Sequence, residues 1–372
     1  MTKPLRVGVD ARTLNRTHIR GTGRYIFEIL RNVKPEDLIE FTAYGNDPSQ
    51  AMRIPDGTCK DVDVFEFRGH RFEAWEQLGL PLRLRKSRPD LLHCADNHAP
   101  VWQPAPTVVT IHDTVPWADP APSLLYHHYL HHLQSVALRR CRAVITISKA
   151  SQRDIVARWP FLASRLHVIP HGISDEFFQD QLDHFPAALH TALGSHPYLL
   201  YLGGPQPKKR FGWAVELLAR SGRPDLHLVA VGFATGTADL RQIPPDLAGR
   251  VHIAPFVNES ELVALYQRAS GAIYPTLYEG FGFPAVEAQA AGTPILFSPV
   301  SSLEELVGPL TWSIPPHDFA RWQAALDEVL SLPVTAKANK VEQARHWVQR
   351  FSWRESAKTH VALYRDMATT GR

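Results

Sequence analysis

Short runs of apolar residues alternate with longer amphipathic segments along nearly the whole chain. The runs that we predict to be strands in the first half are RVGVD (6–10), FTAYG (41–45), VDVFEF (62–67), LLHC (91–94), TVVTIHD (107–113) and AVITIS (143–148). In the second half they are YLLYLGG (198–204), LHLVAVG (226–232), VHIAPF (251–256), GAIYP (271–275) and PILFSP (294–299). Continuous β-branched runs that alternate with helical segments indicate parallel sheets covered on both faces. The pattern therefore predicts an α/β protein with two doubly wound domains.

The boundary between the two domains is predicted near VIPHGISDEFF, residues 168–178. A strand ends there, a proline and a glycine interrupt the pattern, and a polar stretch follows. We therefore expect an N-terminal domain over residues 1–172 and a C-terminal domain over residues 173–350. The segment FSWRESAKTHVALYRDM is predicted to be a last helix, with residues 351–372 packing back on the N-terminal domain.

Composition is that of an ordinary globular protein. Of the 372 residues, 44 % are hydrophobic and 21 % are charged, which is ample for two cores. The three cysteines, at 59, 94 and 141, show no metal-binding spacing and suit a reducing compartment. A predicted strand lies within the first ten residues in place of a signal peptide, and no apolar run is long enough to span a membrane. We expect a cytoplasmic protein.

Positive charge is concentrated in the first half of the chain. Residues 1–172 hold 23 Lys and Arg against 17 Asp and Glu, whereas the remainder holds 17 against 20. A basic half fits an anionic partner or an anionic membrane surface. Ordinary solubilising charge explains the same excess, so both interpretations stay open. We expect no nucleic-acid partner.

Ligands of open parallel sheets bind at the carboxyl ends of strands, and two loops of the first half carry candidate groups there. RGTGRYI places Gly21 and Gly23 where the backbone can approach an anion at a helix N-terminus. A turn and a helix cap explain the same glycines. TIHDTVPW places His112 at the end of a strand, either as a proton carrier or hydrogen-bonding group, or as a structural histidine paired with Asp113.

A third loop, YLGGPQPKKRFGW at 201–213, joins a strand to a helix in the second half. It presents Lys208, Lys209 and Arg210 after two glycines, just before the helix begins. Cations beside backbone N–H groups suit a pyrophosphate. The alternative is a solvated basic turn.

A fourth loop, TLYEGFGFPAVEAQAAG, follows the strand GAIYP. Its glycines expose backbone amides, and Pro284 suits the first turn of a helix. Glu279 and Glu287 stand at either end of the apolar turn, eight residues apart. Such carboxylates can bind the hydroxyls of a sugar and a ribose, with phosphate on the amides between them. A solvated surface position is the ordinary alternative for either glutamate.

These motifs, in this order, resemble the retaining glycosyltransferases of family 4 over essentially the whole chain. The segments that carry the resemblance are GVDARTL with GTGRYI, WEQLGLPLRLRKSRPDLLHC (75–94), TIHDTVPW, AVITISKASQRDI (143–155), VIPHGI and FSWRESA. EGFGFPAVE at 279–287 fits the E-x7-E signature of that family. The resemblance implies the GT-B fold: two Rossmann-like domains facing across a cleft, with the acceptor on the N-terminal one and the nucleotide sugar on the C-terminal one.

The resemblance also implies roles for individual residues. Glu279 would face the transferred sugar, and His112 would lie near the reacting carbon. Lys208 and Lys209 would neutralise the diphosphate leaving group. Glu287 would bind the ribose. The full set implied to bind the donor is Gly21, Gly23, Lys208, Lys209, Gly280, Phe281, Gly282, Phe283 and Glu287. Many relatives have an Arg directly after the strand glycine, whereas this chain has Gly204 followed later by its three cations. Which cation takes which phosphate oxygen therefore stays open.

Three further features of the sequence have simpler explanations than a functional site. Asp61-x-Asp63 resembles a metal motif but begins an alternating strand, and YHHYLHH at 126–132 has histidines at helical spacing on an exposed face, so we assign no metal. Residues 71–90 combine Trp75, leucines and basic residues. That segment fits either peripheral attachment to an anionic membrane or a helix packed on its own sheet.

The function implied is transfer of a hexose from a nucleotide-diphosphate sugar to a saccharide or lipid-linked acceptor, with retention of configuration. Relatives that transfer mannose or rhamnose in bacterial surface polysaccharide or lipopolysaccharide synthesis are the most similar, so GDP-mannose is the favoured donor, with no cofactor. The alternatives are a GT-B enzyme that modifies sugar nucleotides, such as an epimerase, and a non-catalytic sugar-binding protein.

Overall fold

The structure is a computed structural model that describes residues 3–16, 19, 21–67, 72–118, 126, 129–233, 242–254 and 257–369. The chain divides into two compact units. One is Met1–Gly172 together with Phe351–Arg372, and the other is Ile173–Arg350. They are called the first and the second unit below.

The described part of the first unit contains a seven-stranded, wholly parallel sheet in the order β3-β2-β1-β4-β5-β6-β7. Its strands are β1 (Leu5–Asp10), β2 (Ile39–Gly45), β3 (Cys59–Val64), β4 (Leu91–Cys94), β5 (Thr107–Thr110), β6 (Ala143–Thr146) and β7 (Leu166–Val168). Every residue of β4, β5 and β6 is buried. Both faces of the sheet centre are therefore covered, as the unbroken apolar runs predict.

Helices cover this sheet. They are α1 (Gly21–Asn32), α2 (Phe72–Ala74), α3 (Leu80–Ser87), α4 (Val115–Ala118), α5 (Gln134–Arg140), α6 (Lys149–Arg158) and the C-terminal helix (Trp353–Thr369). Two further turns, Trp75–Gly79 and Tyr129–Leu133, are π-helical. The C-terminal helix packs against α1 and β4.

The second unit repeats the architecture with a six-stranded parallel sheet in its described part, in the order β10-β9-β8-β11-β12-β13. Its strands are β8 (Tyr198–Leu202), β9 (His227–Val231), β10 (Val251–Ala254), β11 (Gly271–Tyr274), β12 (Ile295–Phe297) and β13 (Thr311–Ser313). Its helices are α7 (Ala187–Leu193), α8 (Phe211–Ala219), α9 (Glu259–Arg268), α10 (Phe283–Ala291), α11 (Phe319–Leu330) and α12 (Val334–Val348).

Local sequence explains where several helices begin and end. The Ser148 side chain accepts a hydrogen bond from the Ser151 amide at 3.0 Å and caps α6. Asn258 and Glu261 form a reciprocal capping box at the start of α9. Gly292 adopts φ +83° and ends α10, a conformation that favours glycine.

The α/β fold class expected from the sequence is confirmed by these two parallel sheets. The expectation omitted β13, because its three residues form no apolar run: Thr311 and Trp312 are half-buried and Ser313 is exposed, at a sheet edge. The predicted strand at 62–67 lies earlier, at Cys59–Val64, also on an edge. Residues 255–256 of the predicted VHIAPF strand lie outside the described residues. No helix in the described ranges has the length and apolarity needed to cross a bilayer.

Candidate functional site

The second sheet has one place where its strand order reverses. β8 lies between β9 and β11, so the chain leaves β8 toward one side and later returns on the other. In open parallel sheets such a point leaves a crevice outside the carboxyl ends of the two strands, and ligands bind there. The loops that follow β8 and β11 are the two that carry the cations and the E-x7-E segment.

The loop after β8 is shaped by glycine. Gly204 adopts φ +62°, and a Cβ there would lie 2.6 Å from the carbonyl oxygen of Gly232. The Tyr201 hydroxyl lies 3.1 Å from the Gly204 carbonyl oxygen, to which it donates a hydrogen bond. The Leu277 amide in turn donates to the Lys208 carbonyl at 2.9 Å. The two loops at the crevice are therefore tied to each other.

Lys209 and Glu279 form an ion pair between these loops. The Lys209 ammonium contacts Oε1 of Glu279, and it also donates to the Tyr274 hydroxyl at 3.0 Å. Only 14 % of the Lys209 side chain and 11 % of the Glu279 side chain are exposed. Burial, and next the charge of Glu279, raise the pKa of Tyr274 well above its ordinary value. The phenol therefore stays protonated beside the pair.

Serine and threonine hold the Glu279 segment in place. The Thr276 hydroxyl donates to Oε1 of Glu279 at 2.7 Å. The Glu279 amide donates to the Ser301 hydroxyl at 2.9 Å, and the Ser302 hydroxyl donates to the Glu279 carbonyl, also at 2.9 Å. The alternative of a solvated surface glutamate is wrong for this residue, because it is buried and fixed on both its carboxylate and its backbone.

The turn between the two glutamates ends at Gly282, directly before α10. Gly282 adopts φ +98°, and a Cβ there would lie 2.3 Å from Cδ2 of Leu303, so only glycine fits. Phe281 and Phe283 pack edge to face with their ring centroids 5.3 Å apart. Helix N-termini carry partial positive charge on their first N–H groups, which favours an anion. Residues 280–283 therefore connect Glu279, the partner of Lys209, to the N-terminus of α10.

Glu287 lies in the second turn of α10 and is 3 % exposed. The Tyr266 hydroxyl, from α9, donates to its Oε2 at 3.1 Å. Glu287 is therefore not a solvated surface residue either. The hydrogen bond from the neighbouring helix α9 fixes the orientation of its carboxylate.

Arg210 is directed away from the ion pair. Its guanidinium donates to the Pro316 carbonyl and stacks on the Trp213 ring, with Cζ 3.7 Å from the ring centroid. Burial lowers its pKa. Of the three cations after the glycines, Lys209 is the one whose side chain contacts Glu279.

In the first unit, His112 follows β5 and is 6 % exposed. Its amide donates to Oδ1 of Asn97 at 2.8 Å, and its Nε2 lies 2.9 Å from the Ala95 carbonyl. A carbonyl only accepts, so Nε2 carries the proton and Nδ1 of the neutral ring is an acceptor. The suggested pairing with Asp113 is wrong, because the ring bonds the Ala95 carbonyl and the Asp113 carboxylate accepts the Val115 amide.

Gly21 and Gly23 lie in the first turn of α1. A Cβ at Gly23 would lie 2.9 Å from the Thr13 carbonyl oxygen, so this glycine permits close packing of the helix start. Gly21 is exposed. Tyr25, one turn later, packs on the edge of His112 with ring centroids 5.0 Å apart. The structure thus makes α1 and the His112 loop neighbours.

Tyr25 also belongs to a buried polar chain that the sequence did not reveal. His360 Nδ1 lies 2.7 Å from the Ser356 carbonyl and must donate to it, so His360 Nε2 accepts from the Tyr25 hydroxyl at 2.6 Å. The Tyr25 oxygen then accepts from Thr110 Oγ1 at 2.8 Å. Burial lowers the pKa of His360 to about 4.

The same assignment of donors and acceptors extends this series of hydrogen bonds to Tyr364 on the C-terminal helix. Thr110 Oγ1 accepts from His93 Nε2 at 2.8 Å, and His93 Nδ1 accepts from the Tyr364 hydroxyl at 2.8 Å. Burial, and next the repulsion from His360 when that ring is protonated, hold the pKa of His93 well below its ordinary value. Every donor in the chain then has one acceptor, provided that both histidines are neutral. No single motif could have shown this, because its members lie on four separate elements.

An ionic cluster at the carboxyl end of β1 was also missed. Arg12 Nε donates to Oδ1 of Asp10 at 2.8 Å, and Arg12 Nη2 donates to Oε2 of Glu76 at 2.9 Å. The Tyr129 hydroxyl donates to Oε1 of Glu76 at 2.7 Å. Burial alone would raise the pKa of Glu76, but the Arg12 charge and these hydrogen bonds outweigh burial and lower it.

Two other residues considered in the sequence analysis, Asp63 and Trp75, make ordinary structural contacts. Asp63 lies on β3 with its carboxylate 3.9 Å from Arg83 Nη1. Trp75 is fully buried and donates to the Phe65 carbonyl at 3.0 Å, so it cannot anchor residues 71–90 to a membrane. No group of three or more His, Cys, Asp or Glu in the described ranges is placed to hold a metal ion. Arg71, His127 and His128 lie outside those ranges.

Two family models match the chain. Glycosyltransferase Family 4 matches residues 19–177, and Glycosyl transferases group 1 matches residues 190–347, so together they span most of the sequence.

Curated relatives and a solved structure agree with this match. The MMP alpha-(1->4)-mannosyltransferase of Mycolicibacterium hassiacum is 30 % identical over 62 % of this chain and 56 % of that protein. The O-antigen chain mannosyltransferase RfbU of Salmonella typhimurium is 24 % identical over 66 % of this chain and 65 % of that protein. The aligned parts thus span less than two thirds of both relatives. The crystal structure of HepE from Anabaena in complex with UDP and glucose has a TM-score of 0.73 at 17 % identity, covering 96 % of this chain and 98 % of that one.

Proposed function

Since the chain belongs to glycosyltransferase family 4, with the GT-B fold, we propose that it transfers a hexose from a nucleotide-diphosphate sugar to a saccharide or lipid-linked acceptor, with retention of configuration. The observation that carries this proposal is the Lys209–Glu279 pair at the strand-order reversal of the second sheet. A cation and a carboxylate lie side by side there, with a helix start next to them. A sugar diphosphate needs such a set, because it presents phosphate oxygens and hydroxyls within one molecule.

The proposed chemistry follows from the charges that develop as the anomeric bond breaks. Negative charge accumulates on the departing diphosphate, and a fixed cation stabilises that charge more strongly in the transition state than in the ground state. In this proposal Lys209 supplies the cation, and Lys208 and the backbone amides of residues 280–283 are the further groups that contact the diphosphate. Glu279 accepts hydrogen bonds from the transferred sugar, and Glu287 binds the ribose.

Retention implies that the acceptor attacks on the face from which the leaving group departs. We assign no covalent nucleophile, because Glu279 and Glu287 are binding groups in this proposal. His112 acts near the reacting carbon. With Nε2 bonded to the Ala95 carbonyl, Nδ1 is the ring atom that can accept a hydrogen bond from a substrate hydroxyl.

GDP-mannose is the proposed donor, and neither a metal nor another cofactor takes part. Both curated relatives described above are named mannosyltransferases, and the two family models cover the domains that would bind acceptor and donor. Rhamnose is the second choice of sugar. The HepE complex with UDP and glucose makes UDP-glucose the donor to test against it.

The acceptor is proposed to be part of bacterial surface polysaccharide or lipopolysaccharide, handled in the cytoplasm at the inner face of the plasma membrane. Support comes from an exposed apolar and basic face on residues 78–86. Leu78 and Leu82 are 44 % and 51 % exposed one turn apart, and Arg85 and Lys86 are exposed beside them. Such a face suits the surface of an anionic bilayer. Co-sedimentation with anionic vesicles, weakened in Leu78→Ser/Leu82→Ser, would support the contact, and unchanged binding would count against it.

The test of donor binding is a thermal-unfolding panel with GDP-mannose, GDP, dTDP-rhamnose, UDP-glucose and UDP. A ligand at about a hundred times its dissociation constant stabilises the folded state by about 2.7 kcal/mol. We expect stabilisation by one nucleotide series and its loss in Glu287→Ala. Transfer of labelled sugar to an acceptor, with the anomeric configuration read by NMR, then separates a transferase from an epimerase or a sugar-binding protein. Stabilisation by none of these ligands would contradict the proposal.

A further inference from the structure

The donor site contains a charge pair that is complete without any ligand. The Lys209 ammonium contacts Oε1 of Glu279, and the hydroxyl of Thr276 donates to that same oxygen at 2.7 Å. Tyr274 accepts from the ammonium at 3.0 Å. Both charged side chains are mostly withdrawn from water. A charge in that position is costly unless it is paired, so whatever takes one partner must compensate the other.

We propose that Glu279 makes the site select nucleotide sugars over bare nucleotide diphosphates, because a ligand that takes Lys209 from Glu279 must also supply hydrogen-bond donors to the carboxylate. This inference rests on the proposed function. A diphosphate that reaches Lys209 exchanges one anionic partner of the ammonium for another. Glu279 keeps the Thr276 hydroxyl but loses its cation.

The two ligands then differ in what they offer Glu279. The hydroxyls of a bound sugar donate hydrogen bonds to the carboxylate, and charge-assisted bonds of this kind are strong. A bare nucleotide diphosphate offers no such donors. It also brings more negative charge, because the oxygen that held the sugar is now an ionisable phosphate oxygen. Like charges at close range disfavour each other, most of all where water is scarce.

The consequence for turnover is direct. After transfer, the product left in the site is the bare nucleotide diphosphate, which Glu279 disfavours. Re-formation of the Lys209–Glu279 pair therefore accompanies product release. Glu279 would have two roles, one in holding the sugar and one in expelling the leaving group.

Glu287 provides a matched control. It is a buried carboxylate in the same segment, and it accepts a hydrogen bond from the Tyr266 hydroxyl, on α9. The part of the ligand proposed to bind it, the ribose, is common to the sugar nucleotide and the bare nucleotide. Its removal should weaken both ligands by similar factors.

The experiment is titration calorimetry of the full-length protein, its Glu279→Gln variant and its Glu287→Gln variant. The ligands are GDP with GDP-mannose and UDP with UDP-glucose. We expect Glu279→Gln to bind the bare nucleotide of the preferred series more tightly than wild type does. The ratio of the two dissociation constants in that series should change by roughly tenfold, equivalent to about 1.4 kcal/mol. Glu279→Ala should change it in the same direction, which protects the test against one poorly folded variant.

The failures are distinguishable. Wild-type protein that binds none of the four ligands overturns the proposed function and this inference together. Wild-type binding with a Glu279→Gln variant that binds the bare nucleotide no more tightly overturns this inference alone. If Glu287→Gln gains as much affinity for the bare nucleotide as Glu279→Gln does, the inference is also overturned. The gain would then follow from removing any negative charge in this segment.

Discussion

The Tyr25 hydroxyl lies 2.6 Å from Nε2 of His360 and joins helix α1 to the C-terminal helix through a fully buried hydrogen bond. The bond requires His360 to be neutral, since its Nδ1 already donates to the Ser356 carbonyl. Residues more than three hundred positions apart thereby hold the two ends of the first unit together.

This bond predicts how stability depends on pH. Burial lowers the pKa of His360 from 6.5 to about 4, so between these values the unfolded chain takes up a proton that the folded protein does not. The stabilisation is therefore full above pH 6.5 and is lost progressively as the pH falls toward 4. The slope from one such histidine is at most about 1.4 kcal/mol per pH unit.

His360→Gln removes the titrating group but keeps a polar side chain. In urea unfolding across this pH range, we expect the variant to be less stable than wild type at neutral pH and to lose stability less steeply on acidification. Equal slopes for the two proteins would show that His360 is not the group responsible.

The glycine loop after β8 predicts a backbone effect. Gly204 and Gly222 adopt nearly the same φ, +62° and +65°, but a Cβ at Gly204 would lie 2.6 Å from the Gly232 carbonyl oxygen, whereas one at Gly222 meets nothing within 4 Å. Gly222→Ala should cost about 1 kcal/mol in free energy of unfolding, for its positive φ alone. Gly204→Ala should cost clearly more and should also weaken nucleotide binding. Equal losses, measured by chemical denaturation, would mean that the loop yields to the added methyl group.

The buried cluster around Arg12 predicts that Glu76 contributes much more to the free energy of unfolding than the exposed Asp63 does. Glu76→Gln leaves the fully buried Arg12 guanidinium with one anionic partner fewer. Breaking a buried pair from one side costs about 3–5 kcal/mol. Asp63→Asn breaks the ion pair with Arg83. The Arg83 side chain is 43 % exposed and that of Asp63 is 35 % exposed. Such exposed pairs contribute about 1 kcal/mol or less to stability. Denaturant midpoints of the two variants measure the contrast. A Glu76→Gln variant as stable as Asp63→Asn would contradict it.

The directions of the two neighbouring cations predict different catalytic effects. Lys209 contacts Glu279, whereas Arg210 is bonded to the Pro316 carbonyl and stacked on Trp213. Under the proposed function, Lys209→Met should lower kcat by about 10²–10³, the range seen when one transition-state donor is removed. Arg210→Met should act mainly through stability. If Arg210→Met shows the larger loss of kcat in a folded protein, the leaving group is held by the other cation.

The sequence predicts the fold well because the central strands of these sheets, such as β4, β5, β6 and β11, are buried on both faces and therefore appear as apolar runs. β13 escaped that logic, since Thr311 and its neighbours lie partly exposed at an edge. The C-terminal helix was predicted from its sequence pattern and is present at Trp353–Thr369. Its hydrogen bonds through His360 and Tyr364 were not predicted, because a helical pattern does not say which buried side chain meets which strand.

The candidate site shows a similar limit. Lys209 and Glu279 each stood out in a loop after a strand, yet nothing along the chain pairs residues seventy positions apart. Tyr274 looked like an ordinary core residue of its strand, and only the structure shows its hydroxyl at the ammonium. His112 was a candidate from its position, but its partner, the Ala95 carbonyl, is a backbone atom with no sequence signal.

A crystal structure of the protein with the nucleotide sugar that stabilises it most would show whether the donor diphosphate binds at Lys209. We expect the diphosphate at Lys209 and the Gly203–Gly204 turn, the sugar hydroxyls on Glu279, and no remaining contact between Lys209 and Glu279. An ordered nucleotide sugar bound elsewhere in the second unit, with that contact intact, would contradict it.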